Sequence, residues 1–161
     1  MPAIRPTTPE DVPLILSLIR ELATYEKMLD EVVATEASLR ESLFGSLPAA
    51  ECVIAEDGGK AVGFALFFHN FSTFLSRRGL YLEDLYVRPE ARGRGIGRAL
   101  LAHLARIAVD RGCGRFEWAV LDWNEPAQNF YRRLGAVPMT AWQIFRLTGE
   151  PLEALAASAQ Q

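Results

Sequence analysis

Three observations make this a mixed α/β chain. Its 161 residues, half of them apolar, suffice for one domain with a real core and are too few for two. Two apolar runs, residues 51–57 and 60–68, flank Asp57-Gly58-Gly59, a hairpin signal because glycine accepts the positive φ of a tight turn. A third strand-like run, Leu80 to Val87, leads through the glycine-rich stretch Arg92-Gly93-Arg94-Gly95-Ile96-Gly97 into a segment with helical apolar spacing.

Each element has its own signal. Ile4-Arg5-Pro6 reads as a short edge strand. Thr8-Pro9-Glu10-Asp11 offers a capping hydroxyl, a proline and two acids for a helix start, with Pro13 in the first turn and an apolar face of Leu14, Ile15, Leu18, Ile19 and Leu22. A second helix begins after Thr35, turns Leu39 and Leu43 inward and stops at Gly45. After the strand at Leu80–Val87, the residues Ile96, Leu100, Leu104, Ile107 and Ala108 mark a helix that Gly112 ends. Phe116 to Leu121 is a further strand, Asn124 caps a helix running through Phe130 and Tyr131 to Gly135, and residues 137–147 make a last hairpin. The Ala-rich tail from Leu155 is expected to fray.

Composition narrows the function. The longest apolar stretch, Ala61 to Phe68, falls far short of a bilayer span, and the first residues carry no hydrophobic signal segment, so a soluble cytoplasmic protein without a membrane partner is expected. Cys52 and Cys113 lie in apolar surroundings without metal-type spacing and read as buried reduced thiols; no metal site is expected. A net charge of −3 argues against a nucleic-acid surface and suits a cationic partner.

A glycine-rich loop between strand and helix aims backbone N–H groups at one point, where the helix N-terminus adds partial positive charge. Arg92, Arg94 and Arg98 can pair there with a diphosphate, and the glycines let it approach the backbone. The plain alternative is a tight turn on a solvated basic surface. A dinucleotide fingerprint needs glycine or alanine where Arg98 stands, and a Walker loop needs Gly-Lys-Ser or Gly-Lys-Thr, so both nucleotide readings lose ground.

The stretch Arg92-Gly93-Arg94-Gly95-Ile96-Gly97 resembles the Arg/Gln-x-x-Gly-x-Gly/Ala signature of the Gcn5-related N-acetyltransferase (GNAT) superfamily. Leu82-Glu83-Asp84-Leu85-Tyr86-Val87-Arg88-Pro89 before it and Asn124-Glu125-Pro126-Ala127-Gln128-Asn129-Phe130-Tyr131 after it stand in the family's order. The likeness narrows to the spermidine/spermine and thialysine acetyltransferase branch through Arg20-Glu21-Leu22-Ala23-Thr24-Tyr25-Glu26, Tyr81-Leu82-Glu83-Asp84 and Trp123-Asn124-Glu125-Pro126.

That resemblance implies a single-domain GNAT fold over residues 1–161, a mixed, mostly antiparallel sheet flanked by helices, acting as a homodimer. It implies an enzyme that moves acetyl from acetyl-CoA by direct attack to the primary amine of a thialysine-like amino acid or a short diamine or polyamine. The cofactor is expected on Leu85, Tyr86 and Val87, on the loop from Arg92 through Gly93, Arg94, Gly95, Ile96 and Gly97 to Arg98, and on Asn124, Pro126, Ala127 and Tyr131. An N–H near Tyr86 or Val87 would bond the thioester oxygen. Glu83 is the nominated base or ammonium binder, and Asp84, its neighbour on the opposite face of a regular strand, shares the amine site. Tyr131 would protonate the departing thiolate; its alternative is an ordinary core tyrosine. Tyr25, Glu26 and Trp142 match the amine pocket, against a plain reading in which Glu21, Glu26, Asp30 and Glu31 form a solvated acidic helix end.

One stretch departs from the polyamine enzymes resembled. Residues 69–79, read as a short closed loop, carry Ser72 and Phe74 where those enzymes have an acid and a tryptophan, and Arg77 and Arg78 add positive charge. That disfavours spermidine and spermine and favours a shorter amine with its own carboxylate. Two other readings stand beside it, a non-catalytic acyl-CoA sensor and a protein or peptide N-acetyltransferase.

Overall fold

The computed structural model describes residues 2–159, and the chain divides into two compact units, one up to Leu121 and one from Asp122. The first holds β1 (Ala3–Pro6), α1 (Val12–Tyr25), α2 (Glu36–Phe44), β2 (Glu51–Asp57), β3 (Lys60–Ser72), β4 (Arg77–Val87), α3 (Ile96–Asp110) and β5 (Phe116–Trp118). The strands lie side by side in the order β1-β2-β3-β4-β5; the first four are antiparallel and β5 runs parallel to β4. This is the mixed, mostly antiparallel sheet that the resemblance implies.

Helix α1 starts as its sequence dictates. The Thr8 N–H donates to the Asp11 carboxylate at 2.8 Å, and Asp11 also takes two bonds from the Arg5 guanidinium, which ties β1 to the helix entry. Val12, Ile15, Leu16, Leu18 and Leu22 are buried, with Leu14 and Ile19 at the flanks of the face. They pack with Leu39 and Leu43 of α2 onto Cys52, Ile54, Phe64 and Tyr86 of the sheet. Side chains alternate along a strand, so Val53, Ala55, Ala65 and Phe67 point to the other face. These are buried too, beneath α3, which contributes Ile96, Leu100, Leu101, Leu104 and Ala108. The sheet is a middle layer.

The hairpin at Asp57-Gly58-Gly59-Lys60 forms as expected, with φ of 57° and 77° at the two glycines. The loop expected over 69–79 does not. β3 continues to Ser72, paired with Arg77, so the two strands extend to a four-residue turn at 73–76 that exposes Phe74. Gly45 does end α2, but its φ of −71° is ordinary, and no left-handed cap forms there. β5 stops at Trp118, short of Leu121, because it pairs only with Leu80–Leu82 of β4.

The second unit contains α4 (Glu125–Arg133), capped by Asn124 and followed by Gly135 at φ 89°, and α5 (Gly149–Ala157). The expected hairpin at 137–147 is absent: this segment is irregular and leaves Val137, Met139, Trp142, Ile144 and Phe145 exposed. No strand of this unit, among the described residues, offers it a ladder to join. The tail expected to fray from Leu155 is instead helical through Ala157. Cys52 is buried and its thiol is pushed up to about 12 by desolvation, whereas Cys113 is only half-buried.

Candidate functional site

β4 is the spine of the site, and its register decides what each residue offers. Leu66 pairs with Asp84 and Phe67 with Leu82, so Glu83 is the extra residue of a β-bulge. The bulge resets the alternation. Asp84 and Tyr86 share the α1 side of the sheet with Tyr81, and the exposed Glu83 stands at the break. Two adjacent carboxylates thereby occur together, where a regular strand would send them to opposite faces.

Beyond the bulge β4 has an open edge. Arg88 N–H donates to Val62 C=O at 2.9 Å, which makes Arg88 and Val62 a hydrogen-bonded pair. In an antiparallel ladder the intervening residues turn their N–H and C=O away from the partner. Val87 and Leu85 therefore direct their backbone groups away from β3, on the side where β5 no longer pairs. Arg92 Nε donating to Val87 C=O at 2.9 Å agrees with that direction. Tyr86 turns its own N–H toward β3, and its buried ring faces α1 with the hydroxyl toward Glu21. Of the two N–H groups considered for the thioester oxygen, only that of Val87 lies on the open side.

The glycine loop follows. Gly93 and Gly95 hold φ of 74° and 79°, a conformation that glycine adopts without strain, and a Cβ added at either would meet nothing within 4 Å. Gly95 is the N-cap of α3, whose first helical bond runs from Ala99 N–H to Gly95 C=O at 2.9 Å. The N–H groups of Ile96, Gly97 and Arg98 thus have no partner inside the helix, and open space lies above the loop. A diphosphate fits that cradle. Around it, Arg92 and Arg98 are exposed and Arg94 is ion-paired with Asp57 of the β2–β3 hairpin. Ile96 is buried in the core and contributes only its backbone.

Two of the carboxylates, Glu83 and Asp84, lie on β4. Asp84 is raised from 3.8 to about 6, first by burial, then by Glu83 and Glu26, so three acids lie within electrostatic reach of one another. Burial raises Glu26 as well; it sits half-buried at the C-terminus of α1, where the chain reverses through Lys27 at φ 61°. Glu21 is different: its carboxylate takes bonds from the Arg88 guanidinium at 2.8 and 3.1 Å and is held below the usual range by them. The acidic stretch at the end of α1 therefore divides into a structural ion pair at Glu21 and a desolvated acid at Glu26. Tyr25 presents its ring to a cation already in the protein, the Arg92 guanidinium at 4.9 Å, which is also 5.7 Å from the ring of Tyr86.

In the second unit Asn124, buried, accepts from Ala127 N–H at 3.4 Å, and Pro126 occupies the first turn of α4. Tyr131 is half-buried, 5.5 Å from the ring of Phe130. Trp142 lies 76% exposed in the irregular segment. Sequence reasoning missed the bulge and the Arg92–Tyr25 stack. No residue type marks the former, and the latter joins positions 67 apart.

An open strand edge that runs into an anion cradle at a helix start, with two carboxylates on the same strand, suits transfer of an acyl group from a diphosphate-bearing carrier to a cation. The chain belongs to the Acetyltransferase (GNAT) family, whose sequence profile matches residues 17–136, and it is an acetyl-transferring enzyme. The Thialysine N-epsilon-acetyltransferase of Bos taurus is 42% identical to it over 164 aligned residues, covering 95% of this chain and 96% of that protein. The L-ornithine N5-acetyltransferase NATA1 of Arabidopsis thaliana is 34% identical, covering 94% and 86%. Among solved structures, an integron cassette protein from the mobile metagenome of V. cholerae superposes with a TM-score of 0.81 at 28% identity, covering 98% of each chain. Among the described residues no helix is long and apolar enough to cross a membrane, and no group of three or more His, Cys, Asp or Glu side chains could hold a metal ion.

Proposed function

We propose that the protein transfers acetyl from acetyl-CoA to the side-chain amine of a small basic amino acid of the thialysine or ornithine kind. The observation that carries this reading is the cluster of Asp84, Glu83 and Glu26 on and beside the strand whose open edge continues into the anion cradle. Partly buried acids that repel one another favour an entering cation, because an ammonium ion offsets the mutual repulsion and restores the ionised form of Asp84. The relatives that act on thialysine and ornithine support an amino acid as acceptor; Arg77 and Arg78, expected close to the pocket, lie six and five residues along β4 from Glu83 and do not bear on that choice.

In this reading the diphosphate lies on Gly93 to Arg98, with Arg92 and Arg98 as partners, and the pantetheine arm runs along the edge of Leu85 and Val87. Tyr86 supports that edge from within the core. Asp84 and Glu26 bind the ammonium, and Glu83, the exposed residue of the bulge, takes its proton. The free amine then attacks the thioester carbonyl; the new C–N bond forms, the C–S bond breaks, Tyr131 donates its phenolic proton to the departing thiolate, and the second proton, which the nitrogen sheds after attack, restores the Tyr131 phenol by way of solvent. The Val87 N–H stabilises the oxyanion. Asn124, Pro126 and Ala127 hold the start of α4 for the cofactor, and Tyr25 and Trp142 each take part in amine binding. The chain works as one catalytic domain in the cytoplasm. It pairs as a homodimer, for which the exposed apolar residues of 137–147 offer a surface.

The test is CoA release by purified protein over a panel of thialysine, lysine, ornithine, putrescine, spermidine, spermine and a lysine peptide. Selective turnover of a free amino acid supports the proposal. Preference for the peptide assigns a protein acetyltransferase, and acetyl-CoA binding without turnover of any amine points to a sensor.

A further inference from the structure

One side chain holds contacts that belong to both halves of the site. Arg92 Nε donates to Val87 C=O at 2.9 Å, on the open edge of β4. Its guanidinium carbon lies 4.9 Å from the ring centroid of Tyr25 and 5.7 Å from that of Tyr86. Tyr25 ends α1, directly before the desolvated Glu26. Arg92 therefore spans from the last turn of α1 to the end of β4, and the first glycine of the cradle is the next residue.

The hold on Arg92 is weak. Arg5, Arg88, Arg94, Arg106 and Arg111 each bind a carboxylate. Among the described residues no carboxylate lies within ion-pair distance of Arg92, and Glu21, on the same helix as Tyr25, gives both its oxygens to Arg88. Arg92 is exposed. One neutral acceptor and two aromatic faces keep it in place, contacts that are each worth little at a wet surface. A diphosphate on the cradle would offer the same guanidinium a charged partner and paired N–H···O bonds.

Each contact of Arg92 is also one that a substrate would make. An extended ligand along a strand edge bonds both backbone groups of a residue that faces it, so an arm held by Val87 N–H would bring its own amide N–H to Val87 C=O. An ammonium would lie against the face of Tyr25. In the unliganded protein Arg92 supplies the N–H to the first and the cation to the second.

We infer that Arg92 is a positioning residue that couples the two substrates: bound cofactor draws it from Val87 and Tyr25 to the diphosphate, and its departure opens the Tyr25 face to the amine. The inference rests on the reading of Tyr25 as part of the amine site. The acceptor then binds well only after the cofactor, and by linkage it strengthens cofactor binding by the same factor.

Two readouts test this, with CoA as the non-reacting cofactor and ornithine as the acceptor probe. The first is the Nε–Cζ correlation of Arg92 in ¹³C-detected spectra, assigned by its loss in Arg92→Lys. Saturating CoA should move it out of the ring current of Tyr25; a signal that stays in place overturns the displacement, whatever the acceptor. The second is the Kd of ornithine by calorimetry with and without saturating CoA. The wild type should bind ornithine at least about fivefold more tightly with CoA, and Arg92→Met, which has neither donor nor charge, should bring that ratio to about one. Tyr25→Leu should remove the coupling too, and serves if Arg92→Met does not fold. A ratio near one in the wild type, or a ratio that survives these substitutions, overturns the coupling. Ornithine that binds neither with CoA nor without it refutes the amino-acid acceptor, and the Arg92 signal still decides the displacement.

Discussion

Replacing Asp84 by asparagine tests whether the candidate site stores unfavourable electrostatics. The carboxyl is raised from 3.8 to about 6 by burial and by Glu83 and Glu26, which corresponds to about 3 kcal/mol against its ionised form. The folded-state value lies above the unfolded one, so the folded protein holds the proton more tightly between the two. Stability is fully present below about 3.8, declines as pH rises through about 6, and stays reduced above it. Asparagine keeps the shape and removes the charge. Asp84→Asn should therefore raise stability at pH 8 by up to about 3 kcal/mol, seen as about 6–12 °C in Tm for a chain of this size, and bring no gain near pH 3.5. The assay is thermal and urea unfolding of both proteins across that range, with KM for the amine measured alongside and expected to rise. A variant no more stable than the parent at pH 8, or a difference that ignores pH, refutes the argument that desolvation and like charge act at this position.

Glu21→Gln should show the opposite trend: its carboxylate is held low by Arg88, so the wild-type advantage, about 1–3 kcal/mol at pH 7, disappears as pH falls through that depressed value in urea titrations. Gly95→Ala forces a side chain into φ 79° with open space around it. It should cost about 1–2 kcal/mol through the backbone alone and weaken acetyl-CoA binding by calorimetry, since the new methyl points into the cradle. Tyr131→Phe should lower kcat by about 10²-fold and leave the Kd of acetyl-CoA unchanged; a drop in affinity without a kcat effect would remove it as proton donor.

The elements that the sequence announced are those written in local chemistry. Thr8 and Asp11 start α1, Thr35 starts α2, the paired glycines at 58 and 59 close a hairpin, and Gly95 opens α3 at a positive φ that few other residues accept. What was hidden depends on partners. Residues 69–72 and 77–79 read as loop because they are polar or aromatic without clean alternation, yet they pair because the strands before and after them already do. Residues 137–147 alternate well enough for a hairpin and form none, since a ladder needs a second strand. The site follows the same division. The loop and the carboxylates were legible as residues, but the bulge that brings Glu83 and Asp84 together is a mismatch of register between β3 and β4, which neither strand encodes alone. Arg92 over Tyr25 is likewise a product of packing.

The central claim is that acetyl passes from acetyl-CoA to a free amino-acid amine on this protein. Incubation with acetyl-CoA labelled with ¹³C in the acetyl carbonyl, with thialysine or ornithine as acceptor, followed by mass spectrometry of small molecules and intact protein, tests it most directly. The account predicts label in the N-acetylated amino acid, strongly reduced in Glu83→Gln and Tyr131→Phe, and none retained on the protein. Label in neither amino acid while acetyl-CoA binds, or label on protein lysines in preference to free amine, would contradict it.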